Sequence, residues 1–154
     1  MTDKSKEKKE MKKTGKLNTD RLNSSILHFK NENQISKIFP ENEVEYTLSE
    51  YLAHLLETYD VKKKEVIAKS QLDTIYGYQI FQGKKNPSRN VLICLCFGFG
   101  LSVDDAKRLL YYGGVASLYP RVKRDAYIMF ALNKKMDVIE TNELLYSHEQ
   151  ETIC

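Results

Sequence analysis

Tryptophan is absent from this 154-residue chain, and proline occurs only three times. Pro40, Pro87 and Pro120 stand far apart, so no proline-rich linker interrupts the chain and long helical stretches are allowed between them. No apolar run approaches the ~18 or more residues of a membrane-spanning helix, so no membrane partner is expected. The lysine-rich start has no apolar h-region and does not read as a secretory signal, which leaves a cytoplasmic location as the expectation. Cys94, Cys96 and Cys154 are an odd set without metal spacing. On a helix, Cys94-x-Cys96 points its two thiols in different directions, and the expected role is that of small core residues in a reduced compartment. No phosphate loop, nucleotide fingerprint or nucleophile elbow occurs. His28, His54 and His148 are isolated and assemble no triad. The expectation is a protein without enzymatic activity, cofactor or metal.

What is present suits one domain of ordinary size plus tails. Hydrophobic residues make up 42% and aromatics 10%, enough to bury a core over most of the length. The net charge of +3 is uneven: residues 1–16 hold seven lysines against Asp3, Glu7 and Glu10. That low-complexity stretch cannot bury enough apolar surface to order itself. It reads as a solvated basic tail, or as an arm that follows DNA phosphates.

Helical periodicity accounts for most of the rest. Two short amphipathic pieces fall at about 19–29 and 33–39, within a 17–46 segment expected to pack on the main domain. Thr47-x-x-Glu50 is a capping box for a helix over about 47–59, with Leu48, Leu52, Leu55, Leu56 and Tyr59 as its apolar stripe. A second helix, about 62–69, carries Lys62, Lys63 and Lys64 in its first turn. There the helix dipole disfavours cations, and contact with phosphate would give them a purpose. A third helix comes next, over about 73–82. Asp73 is its expected N-cap, Tyr76, Gly77, Ile80 and Phe81 lie on one side, and Gly83 lies at its C-terminal end. Thr74, Ile75, Tyr78, Gln79 and Gln82 make up the other side.

Pro87 suits the first position of a fourth helix, about 87–99, whose run Val91–Phe97 is apolar all round and should be the most buried. A fifth helix begins at Ser102, with Asp105 expected to support the cap, and stops at Gly113-Gly114. Beyond it, about 121–134 reads as a helix with Val122, Ala126, Met129 and Phe130 on one face. A last helix, about 138–146, carries Ile139, Asn142, Leu145 and Tyr146. This 114–147 extension either completes the core or forms a dimer surface. Residues 148–154 are expected to fray.

The segment Gly83-Lys84-Lys85-Asn86-Pro87-Ser88, the helix before it and the Leu92, Leu95, Phe99 helix after it resemble the lambda-repressor/Cro-like (XRE-type) helix-turn-helix family. The tail Gly100-Leu101-Ser102-Val103-Asp104-Asp105 is similar to that family's Leu-Gly-Val-Ser-x-Asp-Glu. The resemblance covers about 47–113 and implies an all-α, five-helix DNA-binding core with extra N- and C-terminal helices. Three positions depart from the family pattern: Ile67 stands where a small Ala is usual, Gln71 where Gly is usual, and Gly77 where a branched apolar residue is usual. If the second and third helices cross closely, Ile67 against Gly77 exchanges large for small and keeps the packed volume.

The resemblance implies a sequence-specific regulator that binds double-stranded DNA with the helix at about 73–82 in the major groove. Gln79 and Gln82 would address adenine edges, Thr74 and Ile75 a thymine methyl, and Tyr78 a phosphate. Lys63, Lys64, Lys84, Lys85, Asn86 and Arg89 would supply the backbone contacts. Over 47–112, nine Lys or Arg oppose seven Asp or Glu, a modest field. A homodimer would read half-sites about 34–36 Å apart. The competing expectation is a protein-interaction module on the same scaffold, with Ile75, Tyr76 and Tyr78 docking a protein partner, as an antitoxin-like or regulator-binding protein would.

Overall fold

The structure, a computed structural model, describes residues 27–28 and 45–154. The basic tail at 1–16 and the short helices expected within 17–44 lie outside the described residues, apart from Leu27 and His28. Residues Tyr46–Cys154 form a compact unit by themselves. They fold into seven helices and no strand. The chain is all-α there, as the periodicity predicts.

Local chemistry starts and stops each helix. Helix α1, Leu48–Thr58, opens on the expected capping box, in which Glu50 N donates to Thr47 Oγ1 at 3.3 Å while Thr47 N donates to the Glu50 carboxylate at 3.4 Å. Helix α2, Lys63–Lys69, has no side-chain cap at Lys62. Helix α3, Thr74–Phe81, is capped by Asp73, which accepts from Tyr76 N at 3.1 Å. Helix α4, Arg89–Phe99, is capped by Ser88. Pro87 therefore precedes the cap instead of taking the first helical position, and its ring is buried. Helix α5, Val103–Tyr112, is capped by the Ser102 hydroxyl, which accepts from Asp105 N at 3.2 Å. The Asp105 carboxylate is used elsewhere: it accepts from the Tyr59 hydroxyl and pairs with Arg108, tying the end of α1 to α5.

Helix α4 is the axis of the core. Leu92 through Phe99 are all buried, as expected of a helix apolar all round. Helices α2, α5 and α7 (Val138–Ser147) pack on it, and α3 packs on α1 and α2. Each fully buried Leu or Ile contributes roughly 1.5–3 kcal/mol relative to exposure. At one edge the Tyr51 and Tyr112 rings meet at a tilt of 32° with centres 4.5 Å apart, and Tyr46 stacks on the exposed His54 at 5.2 Å.

The last third departs from expectation in three ways. Helix α6, Lys123–Asn133, buries Asp125, Ile128, Ala131 and Leu132, while Val122 and Phe130 are exposed. The helix is rotated from its most apolar face because Asp125 turns inward to meet Arg89. Helix α7 buries Val138, Thr141 and Leu145 and leaves Ile139 and Tyr146 exposed. Thr141 can face inward because its hydroxyl donates to Asp137 O at 2.7 Å.

The third departure is the segment after α7, which is not frayed. Ile153 is 2% exposed and joins the core, its N–H donating to Asn142 Oδ1 at 2.8 Å. Arg124 holds the same segment through Glu151 O and Thr152 O at 2.8 and 3.0 Å. His148 stacks on Tyr127 with ring centres 4.4 Å apart.

Candidate nucleic-acid interface

Helix α3 divides in part as its spacing predicts. Gly77, Ile80 and Phe81 are buried, and Tyr76 packs half-buried against the core. On the other side Thr74, Ile75 and Gln82 are exposed, Ile75 to 71%. Tyr78 and Gln79 are half-buried, and Tyr78 packs against the core as Tyr76 does, so the outward side is fully exposed only at its two ends. The turn leading into α3 holds Gln71 at φ 58°, in the left-handed region.

Lysines lie on the two elements that precede and follow α3 in the chain. Lys64 on α2 is exposed. Lys63 is half-buried, with its ammonium 5.6 Å from the centre of the Phe81 ring, a cation–π contact that keeps it beside α3. After α3, Gly83 adopts φ 78° and its N–H donates to Ile80 O at 3.1 Å, while Lys84 N donates to Gln79 O at 2.9 Å. This paired closure is a Schellman motif, which only a residue tolerant of positive φ completes cheaply. It fixes the direction in which the exposed Lys84, Lys85 and Asn86 leave the helix. Gly83 also lies against Ser49, so the loop runs beside the start of α1. Among the described residues, Lys64, Lys84 and Lys85 make no ion pair.

Arg89 does not belong to this rim. Its guanidinium donates to Ala116 O, Ser117 O and Asp125 Oδ2, each at 2.9 Å. Asp125, 3% exposed, also accepts from Tyr119 N at 3.1 Å. Arg89 therefore clamps the start of α4 to the 115–122 connector and α6, and its Nε and Nη2 donors are taken up within the chain. No local signal announces this pair, because its members are 36 residues apart. Arg124, whose guanidinium reaches Asn90 Oδ1 at 2.9 Å as well as the 151–152 backbone, is a second clamp that spacing does not reveal.

Other chemistry is sparse. Among the described residues no group of three or more His, Cys, Asp or Glu could hold a metal ion, and no helix is long and apolar enough to cross a membrane. Cys94 and Cys96 are buried and Cys154 is exposed. Comparison with protein families, with curated proteins and with solved structures finds no match for this chain.

Proposed function

We propose that this chain is a non-enzymatic, double-stranded-DNA-binding transcriptional regulator of the lambda-repressor/Cro-like helix-turn-helix class, with α3 entering the major groove and α2 lying across the backbone. The observation that carries the reading is the α3 face itself. Thr74, Ile75 and Gln82 are exposed on α3, Lys64 is exposed on the helix before it, and Lys84, Lys85 and Asn86 are exposed in the loop that follows it. A major groove about 12 Å wide accepts one such helix, Gln can pair with an adenine edge, and Thr and Ile suit a thymine methyl. The lysines supply the phosphate contacts that position the helix without reading sequence.

With Arg89 withdrawn, the rim rests on Lys63, Lys64, Lys84 and Lys85, and binding by one protomer is weak. A two-fold dimer with half-sites about 34–36 Å apart would raise it. Selection of bound sites from a random duplex library, with mass measured in parallel, tests the reading. It expects an enriched half-site and a salt-dependent affinity. Failure to retain any duplex at about 50 mM salt would overturn it, because the phosphate term is strongest at low salt.

A second reading rests on Ile75. An aliphatic side chain 71% exposed beside the half-buried Tyr76 and Tyr78 also suits a protein partner. Under that reading heparin and random duplex fail to retain the protein at low salt.

A further inference from the structure

The segment after α7 brings an exposed thiol to a buried one. Cys94, on the central helix, donates its thiol to Ile153 O at 3.5 Å. The next residue is Cys154. Its position is set by Asn142, whose Oδ1 accepts from Ile153 N at 2.8 Å and whose Nδ2 donates to Cys154 Sγ at 3.1 Å and Cys154 O at 3.4 Å. Arg124 fixes the two preceding carbonyls. Burial pushes the Cys94 thiol up to about 12, and the charge and hydrogen bond of Cys154 push in the same direction, as expected of two neighbouring thiols. Cys96 lies about 200° further round the same helix and is wholly enclosed.

We propose that Cys94 and Cys154 form a reversible intramolecular disulfide that staples the 149–154 strap to α4 when the protein meets hydrogen peroxide. The exposed Cys154 reacts first. Its sulfur takes one oxygen from the peroxide, giving a sulfenic acid and one water. The Cys94 sulfur then attacks the Cys154 sulfur, so that the S–S bond forms as the S–O bond breaks. The departing hydroxide takes the Cys94 proton and leaves as a second water. Two thiols and one peroxide thus yield one disulfide and two waters. The high proton affinity of Cys94 slows the second step, and the held strap offsets this by keeping the partner sulfur adjacent. The staple closes a loop across α5, α6 and α7, and it constrains chiefly the unfolded chain. This inference does not depend on the DNA-binding reading.

The test uses the full chain, treated with stoichiometric hydrogen peroxide, alkylated under denaturing conditions and mapped by mass spectrometry. The expected product is a monomer lighter by two hydrogens, with a Cys94–Cys154 cross-linked peptide and Cys96 alkylated. Its Tm should rise by roughly 10 °C or more, and dithiothreitol should reverse the change. Cys154→Ser, at an exposed position, should fold normally and lose both the mass change and the Tm shift. The proposal is overturned if Cys154 stops at a sulfur oxide or joins a second chain while Cys94 remains alkylatable. It is equally overturned if Cys154→Ser still loses two hydrogens.

Discussion

Ile67 fills the space that a side chain at position 77 would need: a Cβ placed on Gly77 would meet Ile67 Cγ2 at 2.5 Å and Cγ1 at 2.9 Å. Helices α2 and α3 approach closely here because bulk sits on only one side of the crossing. Gly77→Ala should therefore destabilise by about 1–2 kcal/mol, overpacking outweighing the roughly 1 kcal/mol that Ala gains in a helix. Ile67→Ala should cost about 2–4 kcal/mol through the cavity it leaves. In the Ile67→Ala background, Gly77→Ala should become neutral or stabilising. Urea unfolding of the four proteins measures the coupling, and additive effects would mean that the two positions do not share space.

The turn between these helices makes an opposite prediction. Gln71 sits at φ 58°, which glycine adopts freely and other residues adopt at a cost. Gln71→Gly should raise stability by roughly 0.5–1 kcal/mol, the relieved strain exceeding the added entropy of the unfolded chain. Thermal or urea unfolding would report it directly.

Arg89 and Asp125 should behave as structural residues. Asp125→Ala removes the carboxylate from a half-buried guanidinium and from Tyr119 N, and should cost about 2–3 kcal/mol. Arg89→Gln should destabilise in the same direction. Neither substitution should change the dependence of duplex binding on salt at temperatures where the variant is folded.

Lys84 and Lys85 should do the reverse. Both are exposed, and replacing the pair with alanine should leave unfolding within about 0.5 kcal/mol of the parent. It should flatten the slope of log affinity against log salt by about 2 per protomer, one for each phosphate lost, whatever the duplex sequence. Gln82→Ala should instead leave the slope intact and narrow the preference between sequences. Fluorescence anisotropy at two salt concentrations separates these outcomes.

Alkaline pH should loosen the core. Burial raises Cys94 from its ordinary 9.0 to about 12 and drives Cys96 further the same way. Burial also raises Tyr51 and Tyr59 above 10.0, helped at Tyr51 by the charge of Asp105 and at Tyr59 by its hydrogen bond. In each case the folded chain holds the proton more tightly than the unfolded chain. The resulting stability is complete below the unfolded values and is lost as pH rises towards the folded ones. The free energy of unfolding should therefore decline above about pH 9, by up to roughly 1.4 kcal/mol per pH unit for each titrating group, and a series of melting curves should show Tm falling with it.

How far the fold is legible in the sequence depends on the range of the forces involved. The helices between 47 and 112 fall within two residues of their expected positions, because Thr47, Asp73, Ser88 and Ser102 act on backbone groups a turn away. The Ile67–Gly77 contact is also readable, since a glycine inside a helix costs stability and close helix approach gives it a purpose. The inward faces of α6 and α7 are not. A periodicity argument ranks Phe130 above Asp125 as a core residue, and only the distant Arg89 reverses that order. The packed strap carries a single core aliphatic, Ile153, and no period. At the candidate interface the lysines and the α3 face are legible as residue types, whereas the internal engagement of Arg89 depends on the connector carbonyls of Ala116 and Ser117.

Ile153 reaches the central helix from a point more than fifty residues beyond it in the chain. During synthesis α4 emerges long before the residues that seal its flank by α7. For that interval a growing polypeptide presents a greasy rod with one wall missing, and its safe passage depends on whatever shields that wall until the closing residues arrive.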